Sequence, residues 1–501
     1  MELNGRSVLV LGLGLSGQAM VRWCARGGAR VRGADSRTAP PALDALRAAL
    51  PELEVHLGAP DLKQLDGVEL LCVSPGIAPH DAAFGALLDE ARRRGIDVVG
   101  ELGLFAAALR ELQQRDAYAP ALLAITGTNG KTTVTALTRH LLAAAGVDAV
   151  AAGNIAPAML DVLRERLDAA RLPQAWVLEL SSFQLHGVRD FAASAATVLN
   201  VTQDHLDWHG DLDAYAADKA RIFGPAPWQL AQPPGLMLLN RDDPTVAAMR
   251  RDGRRACSFG LDAPTRDGDW GVVDEHGVAW LARAVAEVGD EPPSRRRGAP
   301  PPPPAPVRVQ QLMPADALRI RGRHNWANAL AALALAASTG APLASLLHGL
   351  RDYRGEPHRM QSLGVLDGVE WIEDSKGTNV GATAAALHGL DRGVVLIAGG
   401  DGKGQDFAPL AAAARGRVHC ALLIGRDAAR LADALAPVCA VERCASLQAA
   451  AARAAEIAHS GEVVLLSPAC ASLDMFSDYK QRAEVFAAAL HEIAAQRGVD
   501  L

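Results

Sequence analysis

Short apolar runs alternate with helically spaced stretches along most of the chain, and each run breaks off at small or polar residues. In the N-terminal part the runs are Ser7 to Leu11, Arg30 to Gly33 and Val68 to Val73, with a helical pattern after Gly17. Runs that are apolar throughout, separated by helices, predict a parallel sheet covered on both faces. A second unit of the same kind is predicted from near Gly100, with strands at Ala121 to Ala124, Ala175 to Leu180 and Ala195 to Asn200. A helix over Asn325 to Ala336 closes it, with Gly340 as its C-terminal cap. A third unit from about Glu356 has strands at Val394 to Ala398, Ala421 to Ile424 and Val463 to Leu466.

Composition supports this division and narrows the partners. At 501 residues the chain exceeds one ordinary core, and half of its residues are hydrophobic. The net charge of −7 and the scattered Lys and Arg give no basic footprint for nucleic acid. The N-terminus runs straight into a strand and no apolar stretch is long enough to span a bilayer, so a cytosolic protein is expected. Seven cysteines without a C-x-x-C pair argue against a disulfide framework and a zinc site. The segment from about 285 to 306, with prolines from Pro300 to Pro304, reads as a disordered surface insertion or a proline-motif docking site.

The chemistry concentrates where strands end. Gly127-Thr128-Asn129-Gly130-Lys131-Thr132-Thr133 follows a strand and opens a helix, as a phosphate-binding loop does. Lys131 would reach terminal phosphates of ATP and Thr132 a magnesium ion, although Ile125 stands where the usual pattern has its first glycine. A glycine turn without a ligand is the plainer alternative. Gly12-Leu13-Gly14-Leu15-Ser16-Gly17, with Asp35 after the next strand, suits a dinucleotide, another diphosphate such as that of a UDP-sugar, or only a tight turn. Glu179 at a strand end is a magnesium candidate, and His205 lies in a loop beside it. Lys219 shares a helical stripe with Leu212, Tyr215, Ile222 and Phe223, and on spacing alone its stem is expected to snorkel to water. Burial would instead favour the neutral amine, which can take up carbon dioxide as a carbamate. Three loops of the last unit, around Lys376, Lys403 and Ser472, could hold an anionic substrate.

Taken with Leu178-Glu179-Leu180-Ser181-Ser182-Phe183-Gln184-Leu185 and Gly322-Arg323-His324-Asn325, these motifs resemble the Mur ligases over nearly the whole chain outside the proline-rich segment. The likeness implies three α/β domains: residues 1–99, Rossmann-like; 100–355, P-loop ATPase-like; and 356–501, Rossmann-like. It implies ATP and magnesium, two ions, as cofactors, with UDP-N-acetylmuramoyl-L-alanine and D-glutamate as substrates. Lys131, His205, Lys219 and Lys403 would be catalytic. ATP would lie against Gly127 to Thr133, Asn325 and Asn328, with Arg359 and Asp374 reaching it from the third domain. The UDP substrate would meet Leu15, Ser16, Asp35, Ser36, Arg37, Ser74 and Gly76, then Asn154 and Ser181 near the metal. D-Glutamate would meet Lys376, Thr378, Lys403, Ser472, Leu473 and Tyr479. Thr132, Glu179, His205 and Lys219, as its carbamate, would hold the metal. Ser36, Ala156, Gly377 and Tyr479 stand where Thr, Gly, Ala and Phe are usual, which bears on glutamate packing. A folylpolyglutamate-type ligase shares the phosphate loop but not the N-terminal diphosphate unit. A nicotinamide dehydrogenase would leave Lys131, Glu179 and Lys219 without a role, and a regulatory ATP-binding protein without catalysis would have no use for intact candidate groups at every step. The oligomeric state stays open, a monomer being sufficient.

Overall fold

The computed structural model describes residues 1–224, 235–287 and 306–499. The first sheet comprises β1 (Ser7–Leu11), β2 (Arg30–Asp35), β3 (Glu54–Leu57), β4 (Leu70–Val73) and β5 (Asp97–Val99), in the order β3-β2-β1-β4-β5 and all parallel. The order reverses between β1 and β4, so the crevice above that pair faces the Gly12 loop. The helix Leu15–Arg26 begins before Gly17, not after it. A side chain on Gly17 would strike the Gly12 carbonyl oxygen at 1.7 Å, so glycine lets the first helical turn pack onto the strand end.

Among the described residues the central sheet has nine strands. Its parallel part is β6 (Ala121–Thr126), β7 (Ala149–Gly153), β8 (Ala175–Glu179), β9 (Ala195–Val198), β10 (Leu236–Asn240) and β11 (Ala256–Phe259). β12 (Trp270–Glu275) joins β11 in parallel, and β13 (Val278–Ala286) and β14 (Val307–Pro314) continue antiparallel. The order is β14-β13-β12-β11-β10-β9-β6-β8-β7, which places β6 between β9 and β8. Sequence periodicity did not announce β10 to β14. Because β13 runs to Ala286, the predicted insertion starts too early; its residues 288–305 lie outside those described. The helix Arg323–Ala337 is capped at Ser338, with Gly340 in the left-handed region two residues later. It does not close the unit, since the helix Leu343–Asp352 follows and packs on Lys131–Ala144.

The third sheet comprises β15 (Gln361–Leu366), β16 (Val369–Glu373), β17 (Val394–Gly399), β18 (Val418–Ile424), β19 (Ala440–Arg443) and β20 (Val463–Leu466). Its order is β15-β16-β20-β17-β18-β19, parallel except for the β15-β16 hairpin. The inner strands β16, β17 and β20 are buried at every residue; β17 and β20 read as unbroken apolar runs for that reason, whereas β16 is interrupted by Glu370 and Glu373. The seven cysteines are unpaired, and five are buried. Among the described residues no helix is long and apolar enough to cross a membrane.

Candidate active site

The loop between β6 and the helix Lys131–Ala144 is shaped by two glycines. Gly127 and Gly130 have φ of +151° and +85°, and a Cβ on Gly130 would lie 2.7 Å from Asn328 Oδ1. Lys131 Nζ folds back to donate to the carbonyls of Gly127 and Thr128, at 2.8 and 2.9 Å. Its pKa is pulled down by loss of water, and the charges of Glu179 and Asp204 restore part of it. Ile125, where a first glycine would stand in the usual motif, is a buried strand residue paired to Glu179 on β8.

Glu179 ends β8 and is 1% exposed. Its Oε1 accepts from Asn154 Nδ2 at 2.8 Å, while Oε2 is buried without a hydrogen-bond partner. A desolvated carboxylate oxygen lacking a donor fits a cation, and Thr132 and Asn154 share its cavity. Lys219 lies behind the loop. It is 1% exposed, donates to the Gly127 carbonyl at 3.1 Å and sits 4.3 Å from the Tyr215 ring centroid. The snorkelling expectation therefore fails: the short helix Leu212–Ala220 points the side chain inward and leaves its head no route to water. Burial, with the Lys131 charge nearby, drives its pKa far below the usual lysine value. His205 adopts a left-handed φ of +54°. Its ring packs edge-on to Phe183, and burial pushes its pKa down to about 4. Ser181 caps the helix Ser182–Leu185 in a reciprocal box with Gln184.

The third domain supplies the opposite wall. Its Arg359, Asp374, Lys376, Thr378 and Tyr479 line one cavity of about 930 Å³ together with the phosphate loop, Asn154, Glu179 and, from the central domain's helix Arg323–Ala337, Asn325 and Asn328. His324 lines it too, and burial lowers its pKa to about 4. Lys376 lies 5.4 Å from the Tyr479 ring centroid, and burial lowers its pKa to about 8. Lys403, at φ +49°, sits at the cavity's margin with Nζ 3.9 Å from Asp204 Oδ1. Ser472 is buried, and its loop, distant in sequence, is tied in space to the Lys403 loop by paired Asp401 and Ala471 backbone bonds of 3.0 and 2.8 Å. Leu473 is exposed. Lys219, His205, Ser181, Lys403, Ser472 and Leu473 do not line the 930 Å³ cavity.

Asp374 is buried, accepting from Ser467 Oγ at 2.8 Å, and burial pushes its pKa up to about 7 against the pull of Ser467 and Arg359. A raised acid binds its proton more tightly in the folded state, so stability falls as pH rises from about 4 to about 7. Asp374→Asn is expected to remove that slope. In thermal melts the variant should gain on the parent across this interval and stay ahead at higher pH, while losing turnover.

The first-domain residues form a separate cluster over β1 and β4. Leu15 is 71% exposed at the start of its helix, and Ser74 and Gly76 follow β4. A Cβ on Gly12 would lie 2.9 Å from Ser74 Cβ, so the two loops touch. Both oxygens of Asp35 are engaged internally, by the Leu13 N–H at 2.7 Å and by the Arg37 backbone and guanidinium. Burial would raise this carboxyl, but the Arg37 and backbone bonds outweigh it and hold its pKa at about 2. Asp35 thus orders the loop carrying Ser36 and Arg37. Behind Ser16 lies buried Glu101, whose Oε1 accepts from the N–H of Leu160 at 3.1 Å.

Four polar residues escaped the sequence reading. Asp204 stands between His205 and Lys403. Asn200 grips the Asn129 backbone, Asn379 meets the Asn129 side chain, and buried Arg482 joins Ser375 to the Cys470 carbonyl. Asp204 adjoins His205 in the same loop, a signal that could have found it.

Comparison with known proteins agrees with this architecture. Residues 6–100, 125–286 and 358–470 match the family models described as Mur ligase MurD-like N-terminal domain, Mur ligase middle domain and Mur ligase glutamate ligase domain. The UDP-N-acetylmuramoylalanine--D-glutamate ligase of Cupriavidus pinatubonensis is 53% identical, with 99% of both chains covered. That of Burkholderia mallei is 54% identical, covering 99% of this chain and 98% of the relative. Among solved structures, MurF from Acinetobacter baumannii superposes with a TM-score of 0.57 at 17% identity, over 97% of this chain and 91% of its own. MurF from Thermotoga maritima in complex with ADP gives 0.57 at 14%, over 98% and 96%. Fold and relatives together make the protein a three-domain α/β ligase. The chain belongs to the Mur ligase family.

Proposed function

We propose that the protein is an ATP-dependent ligase that joins D-glutamate to UDP-N-acetylmuramoyl-L-alanine through an acyl phosphate. The observation that carries this reading is the shared cavity, in which a phosphate loop and an open carboxylate oxygen of Glu179 face Lys376, Thr378 and Arg359 of another domain. The relatives' names supply the two substrates. The dehydrogenase and folate-type readings gain no support from them.

A carboxylate resists attack by an amine, so one of its oxygens first takes the γ-phosphoryl group and ADP leaves. Lys131, released from its loop carbonyls, would neutralise the charge that crowds on the transferring group. The D-glutamate amine, having lost a proton, attacks the acyl carbon, and the tetrahedral intermediate collapses with phosphate leaving. Lys376 and Thr378 would orient the amino acid with Lys403 and Ser472, and Tyr479 would pack against it. Leu15, Ser16, Ser74, Gly76 and the loop ordered by Asp35 would hold the uridine diphosphate, with Asn154 and Ser181 nearer the reacting end. Asn325 and Asn328 would face the adenine side, and Arg359 and Asp374 would close over the nucleotide. Magnesium, held by Thr132, Glu179, His205 and the Lys219 carbamate, would supply charge neutralisation at the phosphates.

ATP-dependent phosphate release with magnesium and UDP-N-acetylmuramoyl-L-alanine is expected only when D-glutamate is added. Comparable release with L-glutamate, or with no amino acid, would overturn the acceptor assignment. Activity with a different acceptor alone would keep the chemistry and replace the substrate.

A further inference from the structure

We infer that Asn379 is a positioning residue that makes the phosphate loop's geometry conditional on the seating of the third domain; this rests on the ligase reading above. Asn379 is buried just before the helix Val380–His388, whereas Asn129 lies inside the phosphate loop. Their side-chain amides face each other and exchange two hydrogen bonds. Asn129 Nδ2 donates to Asn379 Oδ1 at 3.2 Å, and Asn379 Nδ2 donates to Asn129 Oδ1 at 3.0 Å. Closing such a ring takes a donor and an acceptor on two separate atoms of one planar group; a carboxylate offers acceptors only and a hydroxyl has both functions on a single oxygen, so neither replaces the amide.

The loop is held from the other side by a similar device within the central domain. Asn200 Oδ1 accepts from the Asn129 N–H at 2.8 Å, and Asn200 Nδ2 donates to the Asn129 carbonyl at 3.1 Å. One residue of the loop is therefore gripped twice, its backbone by β9's end and its side chain by the third domain. The approach of the two domains is close. A Cβ on Gly381 would lie 3.1 Å from Asn129 Nδ2 and 3.2 Å from Thr202 Oγ1. Asn379 Oδ1 also accepts from the Ala382 N–H at 2.9 Å, capping its own helix. Of the bonds made by Asn129 and Asn379, withdrawal of the third domain would remove only the amide pair and leave the cap and the Asn200 grip intact. The pair thus reports domain seating to the loop that must hold the transferring phosphate.

The test separates this role from capping. Asn379→Asp keeps the cap acceptor but sets two oxygens face to face where the second bond was. With the wild-type protein's substrates, Asn379→Ala, Asn379→Asp and Asn129→Ala should each lower kcat about tenfold, the scale of losing a pair of net hydrogen bonds. KM for ATP should move by less than about twofold, because the loop's other holds remain. The double variant Asn129→Ala/Asn379→Ala should be no slower than either single one. A wild-type rate for Asn379→Asp, or additive losses in the double variant, would overturn the proposal.

A second measurement needs no acceptor. Small-angle scattering of the full chain with the β,γ-imido analogue of ATP should show compaction in the parent and less in Asn379→Asp; equal compaction would overturn the latch. If the parent is inactive with D-glutamate yet compacts, the substrate reading has failed and the latch is still decided by the scattering.

Discussion

Lys131→Ala is expected to lower phosphate transfer by about a thousandfold or more while leaving the melting curve close to that of the parent. The lysine donates only to carbonyls of its own loop, at 2.8 and 2.9 Å, so the fold loses little when it is removed. Its chemical task has no substitute nearby. Arg359 and Lys376 reach the cavity from the third domain, and neither grows from the phosphate loop itself. Single-turnover phosphate release, with the first-domain substrate saturating, measures the loss at the phosphoryl step. Turnover within about tenfold of the parent would remove the phosphate-loop assignment.

The second large effect concerns Lys219. A buried ammonium between a carbonyl and a tyrosine ring, next to another lysine, is poorly placed to stay charged. The neutral amine can add to carbon dioxide through its lone pair, lose a proton and become an anionic carbamate. Lys219→Ala is expected to lose activity by about a hundredfold or more, as removal of a charge-stabilising group does. A short carboxylic acid such as formate or acetate should restore part of it by replacing the missing anion. Absence of rescue by any short acid, together with full parent activity in carbon-dioxide-free buffer, would leave Lys219 a structural cation.

These residues differ in how far the sequence disclosed them. β1, β17 and β20 were legible because strands buried on both faces leave unbroken apolar runs, and the loops at their ends follow directly. The phosphate loop was legible for a different reason: glycines at φ values that other residues resist, followed by lysine, leave few physical alternatives. β12 to β14 were not legible, since a partly exposed antiparallel arm mixes polar and apolar residues and lies beside the proline-rich segment. Lys219 was misjudged because helical spacing gives direction but not depth. Asn200, Asn379 and Asp204 carry no motif of their own; an asparagine before a helix reads as a cap, and only the tertiary fold brings it to a second asparagine 250 positions away.

The β13-β14 pair has a consequence for how this chain tolerates change. Its ladder runs from Trp280 opposite Pro314 to Ala286 opposite Val307, and the Glu287 N–H reaches the Pro306 carbonyl at 2.9 Å. Register is therefore fixed by the described residues of the two strands, up to Glu287 and Pro306. The pair also stands at the edge of the sheet, with β9 to β12 between it and β6, which leads into the phosphate loop. This edge is consequently a graft point. Variants that lengthen the chain between 287 and 306 are expected to keep the parent's turnover, which the phosphate-release assay checks.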